Sequence, residues 1–252
     1  MAHDRSPADS INLTNHFLIA MPGLGDAFFA KSVVYLCEHS DRGALGLMIN
    51  KPTDITLKNL FDKVDLPLGR ADLRDTPVFQ GGPVQTERGF VLHDALSPGV
   101  EAPLAWAVVP QAGETRPAAA HARVNHEGEA RDHGDNSGEK SEDNEGGPSD
   151  AVYASTLVIP GAALEMTTSR DVLEALANGA GPQRVFISLG YSAWAQGQLE
   201  SEIGENSWLT VQADSTRMLA LIFETPVEKR YEKALALLGL EAWTLSPDAG
   251  HA

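Results

Sequence analysis

Cys37 is the only cysteine in this 252-residue chain. An intramolecular disulfide and a cysteine-based zinc site are therefore excluded, and a lone thiol fits a reducing compartment. No run approaches the roughly 20 apolar residues that a membrane-spanning helix needs. The first residues, MAHDRSPADS, lack the apolar central segment of a secretory signal. These absences together predict a cytoplasmic protein. Basic runs are missing too: 35 acidic residues face 19 basic ones, for a formal charge of −16. Nucleic-acid binders neutralise phosphates with clustered Lys and Arg, so this charge argues against nucleic acid and against an anionic membrane surface as partners. There is no internal repeat, no P-loop and no GxGxxG. Gly190-Tyr191-Ser192-Ala193-Trp194 lacks the last glycine of a serine nucleophile elbow.

What is present centres on Ser32–Pro52, SVVYLCEHSDRGALGLMINKP. It reads as two apolar strands, Val33–Glu38 and Ala44–Asn50, joined by the polar turn His39–Gly43. Before it, residues 1–12 read as a flexible tail, Phe17–Met21 as a buried strand ended by Pro22-Gly23, and Asp26–Lys31 as one helical turn capped by Asp26. After it, Thr56–Val64 sets Leu57, Leu60, Phe61 and Val64 at helical spacing. Val78–Gln80 and Phe90–His93 are strand candidates.

Leu104–Val109 is apolar, and then aliphatic and aromatic residues nearly vanish from Gln111 to about Asp150. This acidic stretch cannot bury enough apolar area to offset the entropy of ordering, so a disordered insertion at about 111–151 is expected within one domain spanning 13–252. Strands are expected again at Val152–Ile159, Ala163–Met166, Arg184–Leu189, Trp208–Val211 and Arg217–Phe223. Helices are expected after the capping-box-like Thr168/Asp171 pair up to Gly179, at Ala195–Ile203, and from Pro226 over Val227–Leu238. Several consecutive strands have short connections, which favours a mixed α+β sheet over a doubly wound one.

The chain resembles the YqgE/AlgH family of small bacterial proteins. The resemblance rests on His16–Pro22 (HFLIAMP), Ser32–His39 (SVVYLCEH), Gly46–Pro52 (GLMINKP), Gly81-Gly82-Pro83 and Arg88–His93 (RGFVLH). It continues through Met166–Glu174 (MTTSRDVLE), Leu189–Glu200, Asn206–Leu209 and the terminal Ala249–Ala252, in the family's order. The acidic stretch is a departure from it. The resemblance implies one compact α+β domain with a mixed, bifurcated and partly barrel-like sheet flanked by helices. It also implies a cytosolic location and, for some members, the label of transcriptional regulator. No catalytic residues come with it.

Cys37 shares a strand face with Val33 and Tyr35 and reads first as a buried thiol. The catalytic or redox alternative pairs it with His39, because residues i and i+2 of a strand share a face. Asn50 and Lys51 end a buried strand at a forced break, where a cation could meet an anion or Asn50 could simply bond its own turn. Thr168, Ser169 and Arg170 bring hydroxyls, free amides and a guanidinium to one helix start, the best anion or ligand site by this reading. Tyr191 and Trp194 are pocket walls or core. Gly81, Gly82 and Gly89 suggest backbone conformations that a Cβ would forbid, or close approach of another element, and read as structural turns ahead of a ligand loop. His16, His39, His93 and His251 lack metal-ligand spacing, as do His121, His126 and His133 in the acidic stretch. Neither metal nor cofactor is expected. The favoured function is a non-enzymatic binding or regulatory protein for an unknown protein or small-anion partner. An enzyme or redox sensor using Cys37 with His39 is the alternative, and direct DNA binding ranks behind both.

Overall fold

A computed structural model describes residues 12–96, 153–241 and 245. The expectations for the N-terminal tail, Leu104–Val109, the acidic insertion and its three histidines, and His251 lie outside these residues. Among the described residues no helix is long and apolar enough to cross a membrane.

The Ser32–Pro52 stretch forms the expected hairpin, with strands β2 (Val33–Ser40) and β3 (Gly43–Met48). The turn is tighter than expected. Only Asp41 and Arg42 separate the strands, and Ser40 pairs directly with Gly43. β1 (His16–Ala20) lies against β2, and β10 (Trp208–Gln212) lies outside β1. On the other side the order continues from β3 to β9 (Val185–Ala195), β6 (Val84–Asp94), β8 (Leu164–Thr167) and β7 (Thr156–Val158). The sheet curls strongly into a half-barrel.

β9 is where the sheet forks. One of its edges pairs with β6 from Val185 to Tyr191. The opposite edge first takes β5 (Pro77–Gln80) in parallel at Ser188 and Leu189, then β3 antiparallel from Ser192 to Ala195. β5 in turn carries β4 (Pro52–Thr56), a strand the sequence reading did not foresee. The backbones cross closely at the fork. A Cβ on Gly82 would sit 2.0 Å from the Tyr191 carbonyl carbon, and Gly190 adopts a φ of +71°. Only glycine fits there.

The sheet buries three apolar clusters. One face joins Phe17, Tyr35, Leu47, Phe79, Phe90 and Phe186 beneath the C-terminal helices α4 (Ser215–Leu219) and α5 (Arg230–Leu237). The other face is split. Leu18, Val34, Leu36, Met48, Trp194 and Trp208 pack with Leu199 of α3 (Gln198–Gly204). Val78, Val91 and Ile187 pack under α1 (Leu57–Lys63) and α2 (Arg170–Ala177).

Several expectations are corrected. Arg217–Phe223 is helical rather than a strand: Asp214 Oδ1 accepts from Arg217 N at 3.0 Å, which starts α4. Met218, Leu221 and Ile222 then recur at helical spacing and are buried. From Ala220 to Glu224 the helix widens into a π-turn closed by Thr225 N on the Ala220 carbonyl at 2.8 Å. Asp26–Lys31 forms turns rather than a helical turn, although Asp26 Oδ1 accepts from Phe28 N at 2.7 Å as a cap would. Gly190–Trp194 continues β9 instead of leaving it, with Tyr191 and Trp194 in the core. The final helix begins with a 3-10 turn at Val227–Lys229 before α5.

Candidate functional site

A cleft of about 280 Å³ opens where α1 and α2 flank the β6–β9 pair. Each wall follows from local sequence. Thr56 caps α1 by accepting from Asn59 N while Asn59 Oδ1 accepts from Thr56 N, both at 3.3 Å. This reciprocal cap fixes the helix phase, so Leu57 and Phe61 face the core while Leu60 and Val64 line the cleft. Val91 and Ile187 form the floor, and Leu189 and Leu173 complete the apolar lining.

The polar side is the start of α2. Ser169 takes the N-cap position, one residue later than the Thr168/Asp171 pattern suggested, and its hydroxyl donates to Asp171 Oδ1. Asp171 also accepts from Val172 N and Ala154 N, each at 2.9 Å. Thr168 points its Oγ1 at Arg88 Nη2, which donates at 2.9 Å. Arg170 pairs with Glu174 at 3.0 Å and donates to the Val64 carbonyl at 3.3 Å, tying α2 to the end of α1 across the cleft mouth. Glu87 adds a carboxylate to the rim.

Gly89 lies on the β6 wall. Apart from its chain neighbours, no heavy atom lies within 4 Å of where its Cβ would stand, and its φ is not among the positive ones. Glycine in a strand interior is destabilising, and here neither backbone conformation nor crowding requires it. The missing side chain keeps the cleft open.

The other candidates stand apart from this cleft. Asn50 accepts from Val33 N and donates to the Lys31 carbonyl, both at 2.8 Å, and Lys51 Nζ donates to the Ala30 carbonyl at 2.6 Å. They clamp the segment entering β2. Burial, and then the neighbouring Lys31, lower the Lys51 pKa.

Cys37 is fully buried, and its thiol donates to the Tyr35 carbonyl at 3.8 Å. Burial, reinforced by the Glu38 charge, pushes its pKa far above the ordinary thiol value. The expected shared face with His39 is not found. A bulge between Leu36 and Glu38 shifts the register, so Cys37 packs with Phe17 and Tyr35 while His39 meets Leu13 and Glu200 on the opposite side. One inserted residue reverses the alternation that face-sharing assumes.

His93 lies beneath the cleft wall, fully buried, with Nδ1 2.8 Å from the Asp94 carbonyl and Nε2 3.0 Å from Thr167 Oγ1. Burial lowers its pKa; the Asp94 carbonyl and the Glu165 and Asp94 charges oppose this. His16 Nδ1 lies 3.0 Å from the Thr14 carbonyl. Among the described residues no three His, Cys, Asp or Glu side chains gather as a ligand set. The sequence reading missed Arg88 and the apolar walls from α1. Gly89 it took as a turn residue, although a glycine opening an apolar strand was a visible signal.

Fold and cleft together define a class: α+β proteins built on one forked, curled sheet, with an apolar cleft between two helices that cover it. The chain belongs to the AlgH-like family, DUF179, whose profile matches residues 17–129 and 145–243. It is 60% identical over 242 residues to a UPF0301 protein of Polaromonas sp. (strain JS666 / ATCC BAA-500), covering 96% of each chain. A UPF0301 protein of Paracidovorax citrulli is 58% identical, with 98% of this chain and 100% of that one aligned. Among solved structures it is similar to the AlgH protein from Pseudomonas aeruginosa, at 35% identity and a TM-score of 0.60, covering 98% of this chain and 100% of that one.

Proposed function

We propose that the chain is a non-enzymatic binding protein of regulatory type, and that its ligand seats in the cleft between α1 and α2. The observation that carries this reading is Gly89, a strand glycine whose vacant side-chain position opens onto apolar walls. The chemistry of the lining favours a small molecule, or the tip of a protein partner, with an apolar body and an anionic end. Leu60, Val64, Leu173 and Leu189 would take the body. Arg170 and the α2 amides ahead of Val172, whose own N–H is held by Asp171, would take the end. Thr168, Ser169 and Arg170 already bond protein neighbours, which suits recognition better than proton or group transfer.

Gly89→Val tests this, because it puts a branched side chain into the cleft from a position where a Cβ has open space. Sodium octanoate serves as the probe, followed by amide chemical shifts. Octanoate is expected to shift Gly89, Val91, Thr168 and Leu173 in the wild type and to leave Gly89→Val unperturbed, while the variant unfolds within a few degrees of the wild type. Equal shifts in both proteins, or none in the wild type, would overturn the assignment. Turnover found in an unbiased substrate screen would overturn its non-enzymatic half.

A further inference from the structure

The N-terminal segment is fastened to the β2–β3 hairpin through one histidine ring. His39 is 4% exposed, and the backbone N–H of Leu13 donates to its Nδ1 at 2.9 Å. An amide N–H can only donate, so Nδ1 holds no proton and the ring's hydrogen sits on Nε2. Nε2–H then donates to Glu200 Oε1 on α3 at 2.9 Å. The fold therefore selects both the neutral ring and its tautomer.

The neighbouring residues are attached independently of the ring. Thr14 Oγ1 accepts from the His39 backbone N–H at 2.8 Å. Asn15 N donates to the Leu36 carbonyl at 2.9 Å, and Asn15 Oδ1 accepts from the Tyr35 hydroxyl at 2.9 Å. The Leu13 N–H is the attachment that depends on the charge of His39; the Leu13 carbonyl accepts from His16 N at 3.1 Å, and the side chain is buried in the cluster of Trp194, Leu199 and Trp208.

We propose that His39 is a proton-operated latch for the N-terminal segment. A proton arriving on the Nδ1 lone pair removes the Leu13 acceptor and sets two donors against each other. The Leu13 N–H then leaves the ring, while Thr14 onward stays. Nε2–H remains on Glu200, whose carboxylate now faces an imidazolium and holds the ring in place. One event strengthens one contact and breaks the other.

The surrounding charges do not replace the lost acceptor. On the hairpin, Glu38 pairs with Arg42 at 3.5 Å, and Asp41 sits in the exposed turn. On β1 the nearest titratable group is His16, which bonds the Thr14 carbonyl. β3 sets Ala44 opposite His39, and β9 sets Trp194 against Ala44. On α3, Glu202 is occupied by the indole N–H groups of Trp194 and Trp208.

Nitrogen-15 NMR of the full chain from about pH 8 to about pH 5, the range in which histidines change charge, tests the latch. At the alkaline end His39 Nδ1 is expected to show an unprotonated shift and Nε2 a protonated one. On acidification the Leu13 amide protection factor should fall about tenfold or more, with the same midpoint as the ring, while Asn15 keeps its protection. A protonated Nδ1 at pH 8 would overturn the proposal. So would Leu13 protection unchanged as His39 titrates, or a loss shared equally by Asn15.

Discussion

At the scale of single residues, Cys37 and His39 were drawn together by a periodicity and separated by one bulge. The alternation Val33, Tyr35, Cys37 was legible in the sequence, and all three are buried in the same cluster. The bulge was not, because it arises from how β2 pairs with β3 and leaves no mark in β2's own composition. The buried thiol has a measurable consequence. A small aromatic disulfide reagent should label native Cys37 at least about a thousandfold more slowly than the denatured chain, at a rate set by opening of the core. Because its folded pKa is raised, the thiolate is disfavoured in the fold, so alkaline pH above the usual value near 8.5 should speed labelling by destabilising the protein. Rapid labelling of the native chain at neutral pH would contradict the burial. Gly89 teaches the complementary lesson: the residue was visible, but its vacant surroundings belong to the folded cleft.

At the scale of elements, α1 was legible because Leu57, Leu60, Phe61 and Val64 recur at helical spacing. Thr56→Ala should remove the reciprocal cap that sets α1 beside the cleft, costing about 1 kcal/mol. Urea unfolding should register this as a lower midpoint with an unchanged slope; an unchanged midpoint would mean that packing of Leu57 and Phe61 alone fixes the helix. Arg217–Phe223 was misread because a short apolar run satisfies a buried strand and a buried helix equally well. The deciding signal, Asp214 as N-cap, lay just outside the window. β4 escaped because its Pro52–Thr56 residues are mostly polar and only half-buried, so pairing with β5 alone makes it a strand. Thr168–Arg170 was legible as a helix start, whereas the α1 wall facing it required tertiary structure.

Across the whole molecule, buried His93 makes stability depend on pH. Its folded pKa lies below the usual value near 6.5, so within that window the unfolded chain binds more protons than the folded one. Stability should therefore fall as pH drops through about 6.5 toward the lower folded value. Urea-unfolding free energies of the wild type should slope downward there, and His93→Gln, itself less stable from its lost bonds to Thr167 and Asp94, should slope less. Parallel slopes would assign the pH dependence to other groups.

The fork at β9 also governs the order in which the molecule can be made. β3, β5 and β6 are all synthesised by Asp94, yet each leaves one edge that only β9, which starts at Val185, covers. About ninety residues must leave the ribosome between them, several seconds or more of elongation. Throughout that interval the nascent N-terminal half carries open strand edges and uncovered apolar faces. Trigger-type holding chaperones should therefore engage this chain until Ala195 emerges, and final sheet closure is a late, post-β9 event.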